Sequence, residues 1–386
     1  RWMAHVLKDA DYPLVNPKTK EVVGYLNAKE VFNKIVEGAW KNGEPGMIFL
    51  DEVNRDNHVI EQFGEMVATN PCGEQPLLGN ESCNLGSINL AKFYTGKESD
   101  YGQHSAWWSE KINWDRLEKV TRISTRFLDN VIDANYYATE DIEQMTKATR
   151  KIGLGVMGFA DLLIQLKVPY ASKLAREIGG KLILAIRQWS DDESLRLGAI
   201  RGTFPAWDKS TYGVTEAYRN HCRLTVAPTG TISMIADTSS GIEPTFALAW
   251  KKQNILEGKT LNYINKYFEQ DARTQGFYSE ELMDYLAAGG SLQTTDVPSW
   301  VKEVYATAPE ISPDDHVLMQ ASFQKSCDSG ISKTINFANS ATKEDVEAVY
   351  MLAWSEGCKG ITVYRAGRRE KEVLVKGNTE KSEQPR

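Results

Sequence analysis

A chain of 386 residues is long enough for one to three domains or one large barrel. Its 41% hydrophobic, 25% charged and 10% aromatic content excludes a disordered, collagen-like or disulfide-stapled chain. With 45 basic against 52 acidic side chains the net charge is −7, which disfavours a nucleic-acid binder relying on bulk positive charge and still allows a basic pocket for a small anion. Five cysteines are an odd and sparse set, so a reducing, cytoplasmic setting is expected rather than a secreted disulfide framework. No apolar run approaches the ~18 residues that span a bilayer, and no membrane partner is expected. The chain begins Arg1-Trp2-Met3-Ala4-His5, with neither an initiator methionine nor a signal-peptide core, and is read as a piece of something longer.

In chain order, Met47-Ile-Phe-Leu50 is the first short apolar run expected as a strand. Trp114 to Tyr137 places Leu117, Val120, Ile123, Phe127, Leu128, Val131 and Ile132 at spacings of three and four, which predicts an amphipathic helix. A second helix is predicted over Ala171 to Leu197, with Leu174, Ile178, Leu182, Ala185 and Trp189 on one stripe. Leu224-Thr-Val-Ala227, Ile331 to Phe337 and Gly360-Ile-Thr-Val-Tyr364 predict further strands. Their lack of strict alternation implies cover on both faces, as in a mostly parallel sheet or barrel with helices outside. Thr342-Lys-Glu-Asp345 opens a helix with a capping-box pattern that ends at Gly357. Residues 1–367 are thus expected to form the folded α/β unit, and the charged segment 368–386 a flexible tail.

Three polar stretches break the rhythm: Asn70 to Asn89, Thr95 to Ser109, and Pro228 to Pro244. The middle one, with Trp107 and Trp108, reads as a surface insertion. In Asn70-Pro-Cys-Gly-Glu-Gln-Pro76 two prolines and a glycine forbid a helix or a central strand, so a stiff bent loop is expected. If that loop is extended, Asn70, Cys72 and Glu74 point to one side. An amide can orient hydroxyls, a carboxylate can act as general base, and a thiol can act as nucleophile or radical carrier. Cys83 follows eleven residues on, and ordinary buried thiols remain the alternative for both cysteines. The second loop, Ala227-Pro-Thr-Gly-Thr-Ile-Ser233, empties a strand into a tight turn whose N–H groups could cradle a phosphate if a helix starts there.

Gly153-Leu-Gly-Val-Met-Gly158 satisfies a dinucleotide-binding pattern but follows a helical segment where that motif requires a strand, so close packing of strand on helix is expected instead. The histidines have no ligand spacing to any cysteine except the adjacent His221-Cys222, which would point oppositely in a strand. No residue is assigned to a metal, and Cys222 and Cys327 are read as inert.

Four segments together, Asn70 to Leu78, Glu81 to Leu90, Ala227 to Ser233 and Gly357 to Arg365, closely resemble the catalytic subunit of ribonucleotide reductases, most of all the adenosylcobalamin-dependent class. The resemblance runs in the same order from near residue 12 to about residue 365, the C-terminal portion of such a subunit. It implies a ten-stranded α/β barrel with the cysteine loop as a central finger, and reduction of ribonucleotides, as diphosphates, for DNA synthesis. Cys72 would then be the thiyl radical that removes the C3′ hydrogen of the ribose, Glu74 the base for the 3′-hydroxyl and Asn70 the amide holding the hydroxyls. Cys83 would be one half of the reducing dithiol. Pro71 and Gly73 beside them, and Pro228, Thr229, Gly230, Thr231, Ile232 and Ser233, would hold the substrate, the last six at its phosphates. The resemblance further implies adenosylcobalamin as cofactor, a thioredoxin- or glutaredoxin-type reductant, a dimer, and an N-terminal portion or partner chain carrying the second redox cysteine, which no cysteine here matches. Where members with a separate metal-containing radical subunit carry two adjacent tyrosines, this chain has Thr362-Val363. The alternatives are the same reaction fed by such a subunit, and an incomplete module that complements a partner chain.

Overall fold

The computed structural model describes residues 2–96, 106–213, 216–255 and 259–367. It opens with α1 (Trp2–Lys8), an antiparallel hairpin of β1 (Asp11–Val15) and β2 (Val22–Asn27), and α2 (Ala28–Asn42). Asn27 caps α2 by accepting the Glu30 N–H, and Gly43 ends it at φ 87°, a left-handed conformation that glycine adopts freely. Next come β3 (Met47–Ile48), the short helices α3 (Leu50–Arg55) and α4 (Ile60–Phe63), and a minimal hairpin of β4 (Ala68–Thr69) and β5 (Pro76–Leu77). β6 (Leu85–Asn89) is followed by α5 (Trp114–Ala134), α6 (Glu140–Thr149), β7 (Gly153–Met157), α7 (Phe159–Gln165), α8 (Lys173–Arg201) and α9 (Gly230–Ile235). A hairpin of β8 (Ala249–Ile255) and β9 (Lys259–Ile264) precedes α10 (Lys266–Gln275), α11 (Glu280–Ala287), α12 (Ser299–Val304) and α13 (Pro313–Gln324). β10 (Thr334–Phe337), α14 (Lys343–Ser355) and β11 (Gly360–Arg365) complete the fold.

The predicted strands join into one array. β6 pairs in parallel with β7, Leu154 of β7 bridges Leu224, Val226 bridges Ile331 just ahead of β10, and β10 pairs with β11, every step parallel. β11 then pairs antiparallel with β3. Among the described residues nothing joins β3 back to β6, so the expected ten-stranded closure is not observed and the sheet is open. Five parallel segments and one antiparallel strand are too few to close such a barrel; the remaining strands are spent in their own hairpins.

Helices cover most of the array, though Ile48, Leu85 and Thr362 stay exposed. All five residues of β7 are buried, and Ile88, Leu154, Val156, Leu224, Val226 and Ile331 share one core with Leu128 of α5, Phe159 of α7, Ile178 and Leu182 of α8, and Phe323 of α13. A second core gathers Phe32 and Val36 of α2 with Ile335, Phe337, Val349, Tyr350, Ile361 and Val363. α5 buries Leu117, Leu128 and Ile132 as expected, but Ile123 and Phe127 stay 58% and 64% exposed, because the predicted stripe is wider than the face its neighbours cover. The surface-insertion reading fails for its end: Trp107 and Trp108 are buried in the first core, and Trp108 stands 6.1 Å from the Trp114 ring. A 3₁₀ turn over Trp107–Lys111 folds these indoles inward. Residues 97–105 of that stretch, and the tail 368–386, lie outside the described residues.

Gly153 and Gly155 serve close approach of strand on strand, not of strand on helix, because β7 lies directly against the 224–226 segment. A Cβ on Gly155 would lie 2.1 Å from the Thr225 carbonyl oxygen, which is backbone and cannot yield without separating the strands. Gly155→Ala is therefore expected to lower stability by about 3 kcal/mol, read as a shift of the denaturant midpoint. An unchanged midpoint would show that β7 and the 224–226 segment are not packed in this way.

Candidate active site

Residues 70–75 form the loop of the β4–β5 hairpin. Asn70 closes it three times: its N–H donates to the Gln75 carbonyl (3.1 Å), its carbonyl accepts the Gly73 N–H (3.0 Å), and its side-chain Oδ1 accepts the Gln75 N–H (3.0 Å). Gly73 sits at φ 80°, which this tight turn demands. The extended spacing read from the sequence is thus replaced by a turn, and the three side chains lie at graded depths: Cys72 exposed, Asn70 half-buried, Glu74 only 1% exposed. Pro71 is exposed beside Cys72, and Gly73 is half-buried. The loop docks on the array through the Glu74 carbonyl, which accepts the Gly330 N–H (2.7 Å) and the Thr225 hydroxyl (2.7 Å).

Glu74 Oε2 is buried with no hydrogen-bond partner. Leaving such an acceptor unmet costs about 1–3 kcal/mol, so its retention points to use rather than structure. Burial, and then the Glu74 charge, push the thiols of both Cys72 and Cys83 above the ordinary cysteine value. One carboxylate is therefore within electrostatic reach of both sulfurs, and both remain S–H at neutral pH. Cys83 is half-buried on the approach to β6, where Ser82 bonds Thr146 and the Asn84 carbonyl accepts the Gly153 N–H.

The strand segment 224–226 runs into Pro228 and Thr229, and α9 starts at Gly230. Ser233 N–H is returned to the Thr229 carbonyl (2.9 Å), which leaves the Gly230, Thr231 and Ile232 amides ahead of the first intrahelical bond. Those three residues are exposed and Pro228 is half-buried. Thr229, at φ 53°, and Ser233 are buried and face inward: the Thr229 hydroxyl accepts the Gly241 N–H (2.8 Å), and Ser233 bonds Ser240 (2.8 Å). They shape the loop, while the exposed amides are free to meet a ligand.

The other thiols are deep. Burial raises Cys222 and Cys358 to about 12 and Cys327 further still, so none forms a thiolate readily. His221 and Cys222 do not point apart: Cys222 Sγ lies 3.5 Å from His221 Nδ1, because the pair precedes the strand segment instead of lying in it. On β11, Thr362 is exposed and Val363 buried. Among the described residues no group of three or more His, Cys, Asp or Glu side chains is arranged to hold a metal ion.

Sequence reasoning missed the charged residues that hold these loops. Asp161 accepts the Ser239 N–H (3.0 Å) and the Thr238 hydroxyl (2.8 Å) behind the α9 turn. Lys151 and Glu81 pair at 2.6 Å behind the cysteine hairpin. Asp328 accepts the backbone N–H groups of Arg223 (2.9 Å) and Leu224 (2.7 Å). Glu81 lies inside a segment the sequence had marked; the others carry no local signal.

The family model described as "Ribonucleotide reductase, barrel domain" matches residues 9–218 and 213–364. A vitamin B12-dependent ribonucleoside-diphosphate reductase of Thermoplasma acidophilum is 48% identical over 378 residues, covering 97% of this chain and 47% of the relative. One of the same name from Mycobacterium tuberculosis is 43% identical over 362 residues, covering 94% and 50%. The chain thus spans about half the length of the curated relatives it matches. The solved class Id ribonucleotide reductase alpha subunit of Actinobacillus ureae superposes with a TM-score of 0.71 at 22% identity, over 88% of this chain and 61% of that one, a likeness of fold. With nearly the whole described chain inside the family model and the same α/β fold in a solved member, this chain belongs to the ribonucleotide reductase barrel-domain family.

Proposed function

We propose that this chain carries the catalytic face of a reductase that converts ribonucleotides, as diphosphates, into 2′-deoxyribonucleotides by thiyl-radical chemistry. The observation that carries the reading is the buried Glu74 carboxylate, whose Oε2 has no hydrogen-bond partner and whose charge reaches both the Cys72 and Cys83 thiols electrostatically. Cys72, as a thiyl radical, takes the C3′ hydrogen atom, and Glu74 takes the 3′-hydroxyl proton. Asn70 uses Oδ1 to close the loop and keeps its Nδ2 for the ribose hydroxyls. Cys83 and a second cysteine from outside this chain give two electrons and become a disulfide, while the 2′-hydroxyl is protonated and leaves as water. The exposed amides of Gly230, Thr231 and Ile232 meet the phosphates, on a loop shaped by Pro228, Thr229 and Ser233, and the Pro71 and Gly73 backbone borders the sugar.

The open array is, in this reading, part of a ten-stranded α/β barrel with the β4–β5 hairpin as its finger, and residues 1–367 act as one catalytic unit with 368–386 a flexible tail. Adenosylcobalamin would supply the oxidising equivalent when bound. Two features suit it: Cys72 is exposed at the hairpin tip, and Thr362 and Val363 offer no side chain for a relay from another subunit. Pro71 and Cys72 would border it. A thioredoxin- or glutaredoxin-type protein would reduce the disulfide, and a cytoplasmic dimer is the proposed form; no described helix is long and apolar enough to cross a membrane.

Glu74→Gln in the holoenzyme tests the central carboxylate. It is expected to lower kcat by about 10²–10⁴-fold with KM changed less than about twofold, since the proton transfer belongs to the transition state. Unchanged kcat would remove Glu74 as the base.

A further inference from the structure

One buried ion pair touches the segments of both reactive cysteines. Lys151 is 1% exposed, and its Nζ donates to the Pro76 carbonyl (2.8 Å), at the end of the Cys72 hairpin, and to Glu81 Oε2 (2.6 Å), two residues before Cys83. Glu81 Oε2 also accepts the Leu78 N–H (3.0 Å), and Oε1 accepts the Thr149 hydroxyl (2.7 Å) at the end of α6. Glu81 Oε2 and the ammonium are thereby committed to the 76–81 connection between the two thiols, and Oε1 ties that connection to α6.

Stability alone gives little reason for such a pair. Burying two charges costs roughly what their attraction returns, and apolar residues of the same volume generally serve as well. What a buried pair can add is a fixed geometry, since each partner loses heavily if the other moves. Burial by itself would push the Lys151 ammonium down, yet Glu81 holds it above its ordinary value, so the pair stays charged.

We propose that Lys151 and Glu81 are positioning residues whose ion pair sets the separation between Cys72 and Cys83. The inference rests on the reading of these cysteines as the radical carrier and the reductant of one substrate. A substrate held between two sulfurs needs both at reacting distance, and a displacement of about 1 Å can cost about 10²-fold in rate.

The test is the double exchange Lys151→Met/Glu81→Gln in the holoenzyme, which removes both charges and leaves neither unpaired. Turnover and KM are measured beside melting temperature, and nitroxides on Cys72 and Cys83 report the inter-label distance distribution by EPR. The expected result is kcat lower by roughly 10- to 100-fold, KM and melting temperature nearly unchanged, and a broader distance distribution. Thr149→Val, which frees only one Glu81 oxygen, is expected to show the same broadening to a smaller degree, and it serves if the double variant does not fold. A distance distribution unchanged in the folded variant overturns the proposal whatever its turnover. A wild-type holoenzyme that fails to reduce ribonucleotides overturns the functional reading instead, and the label distances then judge the clamp alone.

Discussion

A holoenzyme carrying Cys72→Ser is expected to bind substrate as wild type does and to form deoxyribonucleotide at least roughly 10⁴-fold more slowly. The substitution changes one atom at an exposed hairpin tip, so neither the Asn70 closure of the loop nor its docking on Gly330 and Thr225 is disturbed. What is lost is the S–H group. A serine O–H bond is too strong to serve as the proposed hydrogen-atom carrier, and no other thiol of this chain is placed to substitute: Cys83 sits deeper, and Cys222, Cys327 and Cys358 are buried. Equilibrium binding and single-turnover product formation, measured side by side, separate this from a folding defect. Turnover within about tenfold of wild type would show the thiol idle and favour a module that serves only to complete a partner chain.

The largest effect on stability is expected from Asp328→Asn. Asp328 is buried and joins the Cys327–Gly330 segment to the 223–224 backbone through two N–H bonds, beside the Arg187 and Arg223 guanidinium groups at 3.5 and 3.7 Å. The next residues press against Glu74, because Gly330 N–H donates to its carbonyl, so this carboxylate also supports the hairpin. Removing one partner from a buried charge cluster costs about 3–5 kcal/mol, and among the described residues Arg223 would keep only Asp191 as an ion-pair partner. Although burial works against the charged form, the two arginines and the N–H bonds hold the Asp328 carboxyl down at about 2. Its folded value lies below the unfolded one of about 3.9, so the stability it contributes is present above that pH. It is lost as the pH falls through about 2, and amounts to about 2–3 kcal/mol. Denaturant melts at neutral pH should show the full loss, and the variant's melts should lack this part of the acid dependence between about pH 4 and 2. A loss under about 1 kcal/mol would mean that the cluster is not closed as described.

What was legible in the sequence depended on how local the signal was. The three predicted helices appear as α5, α8 and α14, the last with Thr342 and Asp345 in the predicted reciprocal cap, because periodicity and capping act within a few residues. The four apolar runs appear in the array, as their lack of strict alternation leads one to expect, but cover on both faces is incomplete: Ile48, Leu50 and Thr362 stay exposed. The cysteine loop was legible as a stiff bend but not as a turn, for which the Asn70 side chain had to be seen closing on Gln75. Trp107 and Trp108 were misplaced because polar neighbours masked their burial. Pairings such as Lys151 with Glu81 and Asp328 with Arg223 join residues 70 and 105 positions apart, and no local pattern announces a charge that will be neutralised so far along the chain.

The most direct measurement follows tritium from the 5′ carbon of labelled adenosylcobalamin into water in the holoenzyme, with and without Cys72. Cys72 is the proposed hydrogen carrier, and its S–H exchanges with solvent. Wild type is predicted to release the label, and the Cys72→Ser variant to retain it. Release undiminished in the variant, or no release from wild type, would contradict the account.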